Sequence, residues 1–279
     1  MPGVDVFSTL NEQLTRLAAE RKARAIGVAL HDVETGLRFS MQGDRWFHAA
    51  STIKVAVLLA VFRAADERRL RLDDSLHVRN RFISAADGSP FHLSRDSDAM
   101  PELYKRIGRV AKISELAEGM IVASSNLATN LLLDYLTVEY ARNVVREAQA
   151  DGVELRRGVE DHAAHEAGIN NQATANGLLA LLSALRGDFL SAKSKEQAIR
   201  ILLEQRFDSM IPAGLPPHAV VAHKTGEIST ACHDIGIVYL PEREPYLAVI
   251  LTEFDSDRNG RRETVAAISE AIYRSLMRT

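Results

Sequence analysis

Residues 49–62 read AASTIKVAVLLAVF, and the rest of the chain is organised around this stretch. Its second half, residues 55–62, is the longest apolar run in the sequence, far short of the roughly 20 residues that a membrane-spanning helix needs. It therefore reads as part of a buried helix over 52–65, and no membrane span is expected. Its first half puts Ser51 and Lys54 at the head of that helix, one turn apart and so on one face. Upstream the apolar period shortens to that of strands. Residues 25–32 (AIGVALHD) and 37–41 (LRFSM) flank Glu34-Thr35-Gly36, which predicts a β-hairpin. Ahead of the hairpin, Val6, Leu10, Leu14 and Leu17 recur at helical spacing over about 5–22, with Ser8 and Thr9 as candidate caps.

Downstream, helical periodicity persists to about Met210, over 52–65, 113–123, 126–136, 138–148, 174–185 and 194–205. Two irregular segments interrupt it, 81–100 and 151–172, and long loops of this kind are often functional. After Pro212, Pro216 and Pro217 strand patterns return at 220–224, 235–240 and 246–252, followed by a helix over about 262–277. Strands at both ends and helices between them predict an α/β sheet lobe plus an all-α lobe. Residues 1–50 and 213–279 would form one antiparallel sheet with flanking terminal helices, and residues 51–212 a helical lobe inserted between them. The cleft between the lobes is the natural place for a site.

Composition narrows the function. With 279 residues, 46% hydrophobic and 25% charged, the chain is an ordinary globular protein large enough for a composite fold, which excludes disordered, collagenous and coiled-coil classes. A net charge of −3 without long runs of like charge gives no footprint for nucleic acid. The single cysteine, Cys232, permits no internal disulfide and no cysteine-based metal site, and is read as a small residue near a strand. The N-terminus shows no basic start followed by an apolar stretch, so the chain as written reads as cytoplasmic, or as periplasmic or secreted if a leader has been removed. His162 and His165 stand among Glu160, Asp161 and Glu166, but His-Ala-Ala-His-Glu is not a zinc-binding spacing, and a solvated, partly helical face is expected there. No metal and no cofactor are expected, and the protein is read as a monomer acting on a small molecule. Trp46 is read as a packing residue.

Ser51 and Lys54 carry the first chemical signal. A serine hydroxyl is a weak nucleophile until a neighbouring base takes its proton, and a lysine can be that base once its pKa is lowered. A helix start adds backbone N–H groups where an oxyanion would develop. Alone, Ser-x-x-Lys is weak, because serine at a helix start is more often a cap. Two further motifs follow: Ser124-Ser125-Asn126 between two expected helices, and Lys224-Thr225-Gly226 at the end of an expected strand. Lys224 by itself reads equally as a surface cation.

Taken in order, Ser-x-x-Lys, Ser-x-Asn and Lys-Thr-Gly resemble the penicillin-recognising serine hydrolases, which comprise class A β-lactamases and penicillin-binding proteins. The likeness extends to residues 46–51 (WFHAAS), to residues 120–133 (MIVASSNLATNLLL) and to the order of strands and helices over nearly the whole chain. It implies a β-lactamase/transpeptidase-like fold and opening of a β-lactam, a cyclic amide, through an acyl-serine. A related esterase, amidase or D-alanyl peptidase with the same machinery, or a penicillin-sensing domain that stays acylated, are the alternatives. By the same resemblance Ser51 is the nucleophile, Lys54 its base, Ser124 the relay to the departing nitrogen and Asn126 a holder of Lys54 and of the substrate amide. Lys224 and Thr225 would bind the substrate carboxylate, Gly226 would let substrate lie against the strand edge, and the N–H groups of Ser51 and Glu227 would form the oxyanion hole. The sequence departs from the family pattern at three places. Ser125 stands where the family commonly has Asp, residues 81–104 look long, and no Glu-x-x-Leu-Asn is present to mark the deacylating carboxylate. Glu160 stands at the family's separation from Ser124, whereas Glu166 has the better local likeness in Glu166-Ala-Gly-Ile-Asn170 but little chain after it before the next helix. Glu160 is the first choice and Glu166 the alternative.

Overall fold

A computed structural model describes residues 3–256 and 259–277, with side chains from Ser8 onward, so the Val6 side chain lies outside the described residues. Its helices are α1 (Gly3–Glu20), α2 (Lys54–Asp66), α3 (Pro101–Tyr104), α4 (Ile113–Val122), α5 (Asn126–Leu136), α6 (Val138–Glu147), α7 (His162–Glu166), α8 (Ala175–Arg186), α9 (Ala192–Leu203) and α10 (Arg261–Leu276). Its strands are β1 (Ala25–Asp32), β2 (Arg38–Met41), β3 (Phe47–His48), β4 (Ser75–His77), β5 (Phe82–Ile83), β6 (Pro90–Phe91), β7 (Val110–Lys112), β8 (Val153–Glu154), β9 (Gln172–Ala173), β10 (Val220–Ile228), β11 (Ala231–Tyr239) and β12 (Tyr246–Glu253).

One five-stranded sheet in the order β10-β11-β12-β1-β2 is built from both ends of the chain. Every pair is antiparallel; Val28, for example, lies opposite Ile250 on one side and Met41 on the other. The alternation in AIGVALHD now has a physical meaning. Ile26, Val28 and Leu30 enter one core with Leu10 and Leu14 of α1 and Val265, Ile268 and Ile272 of α10. Ala25 and Ala29 face the other core with α2 and α8. The residues on that face are small because the chain entering the site crosses it: a Cβ at Gly27 would lie 2.7 Å from the Phe47 ring. The larger core runs across the boundaries expected at residues 50 and 213, so sheet and helices share it. At its centre, residues 55–62 of α2 are all buried, which is why that helix is apolar on every side. Among the described residues no helix is long and apolar enough to cross a membrane.

The structure corrects the sequence reading at several points. Ser51 does not open α2. It sits in a 3₁₀ turn, Ala50–Ile53, entered through a left-handed Ala50 (φ 46°), and the α-helix begins at Lys54. Lys224-Thr225-Gly226 lies within β10 rather than at its end, and β11 begins at Ala231 rather than near Ile235. Cys232-His233-Asp234 is too polar to read as a buried strand, yet all three are fully buried. Short strands of two or three residues also lie in or next to the helical middle, β3-β9-β8, β4-β7 and β5-β6. These are shorter than any apolar period can reveal. Trp46 is exposed rather than packed, while Lys224 is buried rather than on the surface.

Candidate active site

The 3₁₀ turn presents Ser51 to a cleft of about 490 Å³, lined also by His48, Ser97, Asn126, Glu160 and Glu227. Neither this turn nor α2 uses the Ser51 hydroxyl as a cap, so the structural alternative for this serine is removed. Strand β10 can press against the turn only because of Gly226. A Cβ there would come within 3.0 Å of Thr52 and 3.1 Å of the Ser51 nitrogen. That close approach, rather than room for substrate alone, is what the missing side chain provides. The Thr225 carbonyl points away from β11, since it accepts a hydrogen bond from Lys224 Nζ at 2.8 Å. Backbone groups of an antiparallel strand repeat their direction every second residue, so the Glu227 N–H also faces outward from this edge strand, beside the Ser51 turn.

Two buried lysines meet on one serine. Lys54 Nζ donates to the Ser124 carbonyl (2.7 Å), to Asn126 Oδ1 (2.7 Å) and to Ser124 Oγ (3.1 Å), and Lys224 Nζ donates to the same Ser124 Oγ (3.0 Å). Ser124 turns both its carbonyl and its hydroxyl inward because its backbone is left-handed (φ 56°). Burial lowers the Lys54 pKa to about 7, with the charges of Asp98 and Glu160 opposing the shift. Burial, and then the charge of Lys54, push Lys224 well below its ordinary value, while Asp234 opposes. The pair therefore carries fewer than two positive charges near neutral pH. A neutral lysine has two N–H donors, which match the Ser124 carbonyl and Asn126 Oδ1 and leave its lone pair for a hydroxyl proton.

Glu160 enters the same cluster. Asn126 Nδ2 donates to Glu160 Oε1 at 2.6 Å, so one amide bridges the lysine and the carboxylate, and Ser97 Oγ donates to the same oxygen at 3.3 Å. The Glu160 backbone is left-handed (φ 56°) and is held on both sides. On one side the Asn130 amide grips both backbone groups of Val159. On the other, buried Asp161 accepts from Ser84 Oγ (2.7 Å), Ala85 N (2.8 Å) and Ala164 N (3.1 Å). Glu166 is exposed at the end of α7 and is absent from the cleft lining, and Asn170 accepts from His165 and Arg157 instead. Of the two acids singled out in the sequence, the structure brings Glu160 to Asn126 and leaves Glu166 outside. The Glu227 side chain is occupied by Arg261 and Arg262, which leaves its N–H as the group offered to the cleft.

Several supporting residues had no signal in the sequence. His233 lies under the strand that leads to Ser51: its Nε2 donates to the His48 carbonyl (2.9 Å) while Nδ1 accepts from Thr252 N (3.1 Å). Burial lowers its pKa to about 4, so it is neutral with one fixed tautomer. His48 Nδ1 in turn accepts from Ala50 N (3.0 Å), and burial followed by the Arg157 charge brings it to about 4. Behind Lys224, Asp234 binds His223 Nδ1 (3.0 Å) and Ile211 N (2.9 Å). Asp98, on the segment 81–104, reaches the Ser124-Ser125-Asn126 turn through Ser125 Oγ and Leu127 N.

The chain is similar to known proteins over nearly its whole length. A family model described as the Beta-lactamase enzyme family matches residues 9–276. A β-lactamase of Proteus vulgaris is 25% identical over 279 residues, covering 96% of this chain and 87% of that protein. Among solved structures, PBP-A is 25% identical, covers 98% of this chain and 97% of its own, and superposes with a TM-score of 0.83. A mutant of PBP-A with the same likeness is an acyl-enzyme complex with penicillin G. An ancestral class A β-lactamase is 27% identical with a TM-score of 0.82, over 95% of this chain and 99% of that one.

Proposed function

Because the chain belongs to the β-lactamase enzyme family, we propose that it hydrolyses β-lactams through an acyl-serine formed on Ser51. One observation carries the reading: Lys54 Nζ has its two carbonyl acceptors in place, and its pKa falls to about 7. Neutral Lys54 takes the Ser51 proton as Oγ bonds to the lactam carbonyl carbon. The N–H groups of Ser51 and Glu227 hold the oxyanion. As the C–N bond breaks, the Ser124 hydroxyl gives its proton to the departing nitrogen and recovers one from the lysines that share it. Glu160 then takes a proton from a water molecule that attacks the ester carbon, and the released Ser51 oxygen is reprotonated. One water has been added across the amide. Lys224 and Thr225 hold the substrate carboxylate. All these groups come from one chain, so a monomer suffices.

The test is a chromogenic cephalosporin assay with intact-mass measurement on the parent and on Ser51→Ala. Turnover with a transient adduct is expected in the parent, and neither turnover nor adduct in the variant. A persistent adduct would make the protein a sensor, ester cleavage without β-lactam cleavage would make it an esterase, and labelling of another serine in the variant would displace Ser51.

A further inference from the structure

The geometry points to Asp98 as a positioning residue that holds the Ser124-Ser125-Asn126 turn and sets a buried carboxylate beside the residues that bind Lys54. This rests on the reading of Ser51 and Lys54 as nucleophile and base. Of the acids in the stretch SRDSDAMPELY (94–104), Asp96 and Glu102 are exposed and only Asp98 is buried. Its Oδ2 accepts from Leu127 N (2.9 Å), Ser125 Oγ (3.2 Å) and the Tyr104 hydroxyl (3.3 Å), and its Oδ1 accepts from Met100 N (2.9 Å). Burial first, and then the charges of Asp98 and Glu160, raise the Tyr104 pKa, so the phenol remains a donor.

These contacts make a two-part cap for α5. Ser125 Oγ accepts from Ala128 N (3.2 Å) and donates a hydrogen bond to Asp98, which also accepts from Leu127 N. The first residue of the helix so held is Asn126, the amide that bridges Lys54 and Glu160. A serine at position 125 cannot carry the negative charge itself, and the carboxylate comes from another segment through a single hydrogen bond.

The charged groups around Lys54 are few. The charges of Asp98 on the segment 81–104 and of Glu160 on the loop before α7 act on it, Lys224 of β10 shares Ser124 Oγ with it, and Asp234 of β11 acts on Lys224. The Asp98 charge bears on Lys54 and on Tyr104. A carboxylate favours the protonated lysine, so Asp98 opposes the fall of the Lys54 pKa, which burial brings to about 7.

The experiment is the pH profile of Ser51 acylation by a β-lactam, read by quenched intact mass, together with thermal melts. The variants are Asp98→Asn and the exchange Asp98→Ser with Ser125→Asp. The parent should show a limb near pH 7. Asp98→Asn should move that limb to lower pH by about one unit, and the exchange, which returns the carboxylate from the other side of the hydrogen bond, should bring it back to within a few tenths of a unit. A purely structural role would lower the plateau and leave the limb in place, and that result overturns the proposal. A parent with no limb near pH 7 overturns the assignment of Lys54 as base, and this proposal with it. Should Asp98→Asn fail to fold, the exchange variant decides: a parental limb supports the role of Asp98, and a displaced limb refutes it.

Discussion

Replacing Glu160 with glutamine should separate two roles that its carboxylate holds at once. Glu160 Oε1 and Lys54 Nζ are bonded to opposite ends of the Asn126 amide, at 2.6 and 2.7 Å, which puts the charges roughly 6–7 Å apart across one planar group. At an effective dielectric near 20, unit charges at that distance attract by about 2.5 kcal/mol, a little under two pK units. Glu160 is partly exposed, so solvent screening reduces the expected effect to about one unit. The sign follows from which form of Lys54 is favoured. The carboxylate stabilises the ammonium, so its removal lowers the Lys54 pKa further and lets the neutral base appear at lower pH. Acylation measured in a single turnover from about pH 5 to 9 should therefore rise along a limb about one unit below the parent's. Deacylation should fail in the same variant, because no carboxylate is left to take a proton from water, and the acyl-enzyme should accumulate in mass spectra. A limb that stays in place or moves upward would refute the electrostatic argument, and failure to accumulate adduct would refute the assignment of Glu160 as deacylating base.

Two further outcomes are expected. Lys54→Met should slow acylation by about 10²–10⁴-fold, because it deletes the proton acceptor. The same variant bears on stability, since the folded pKa of Lys54 is about 7 against an ordinary 10.5. The folded state then binds fewer protons than the unfolded one between those values, and the parent gains about 1.4 kcal/mol per pH unit over that window as pH rises. Lys54→Met should lack that gain in urea melts at two alkaline pH values, and equal slopes would contradict the burial argument. Lys224→Ala should weaken kcat/KM for substrates bearing a carboxylate about tenfold or more beyond its effect on neutral esters. Equal losses on both would reduce Lys224 to a structural role.

The parts of the fold that could be read from the sequence are those whose cause is local. Alternation in residues 25–32 follows from one strand between two cores, and the unbroken apolar run 55–62 from a helix surrounded on all sides. The three motifs are legible because each compresses its chemistry into three or four consecutive residues. What was hidden depends on contacts distant in the chain. Asp98 acts on Ser125 from 27 residues away, in a segment with no period. His233 and Asp234 are polar residues in a buried strand, made tolerable by partners at His48, His223 and Ile211. Glu160 could be preferred to Glu166 on its separation from Ser124, but its contact with Asn126 depends on a left-handed backbone and on the grip of Asn130 over Val159, neither of which leaves a mark in composition.

The sheet drawn from both chain ends has a consequence for synthesis. β1 is buried on both faces and hydrogen-bonded along both edges, by β2 and by β12. β2 follows β1 at once, but the partner on the other edge, β12 (Tyr246–Glu253), is made only after the whole helical middle. Asp32 and Arg243, which form an ion pair beside the β1–β12 ladder, are 211 residues apart. At the usual pace of translation that interval is roughly 10–40 s. Throughout it the nascent chain presents an apolar strand with one open edge, the kind of surface that invites pairing with a neighbouring chain. Yield in the cell should therefore respond to holdase chaperones and to growth temperature more than the stability of the finished protein would suggest.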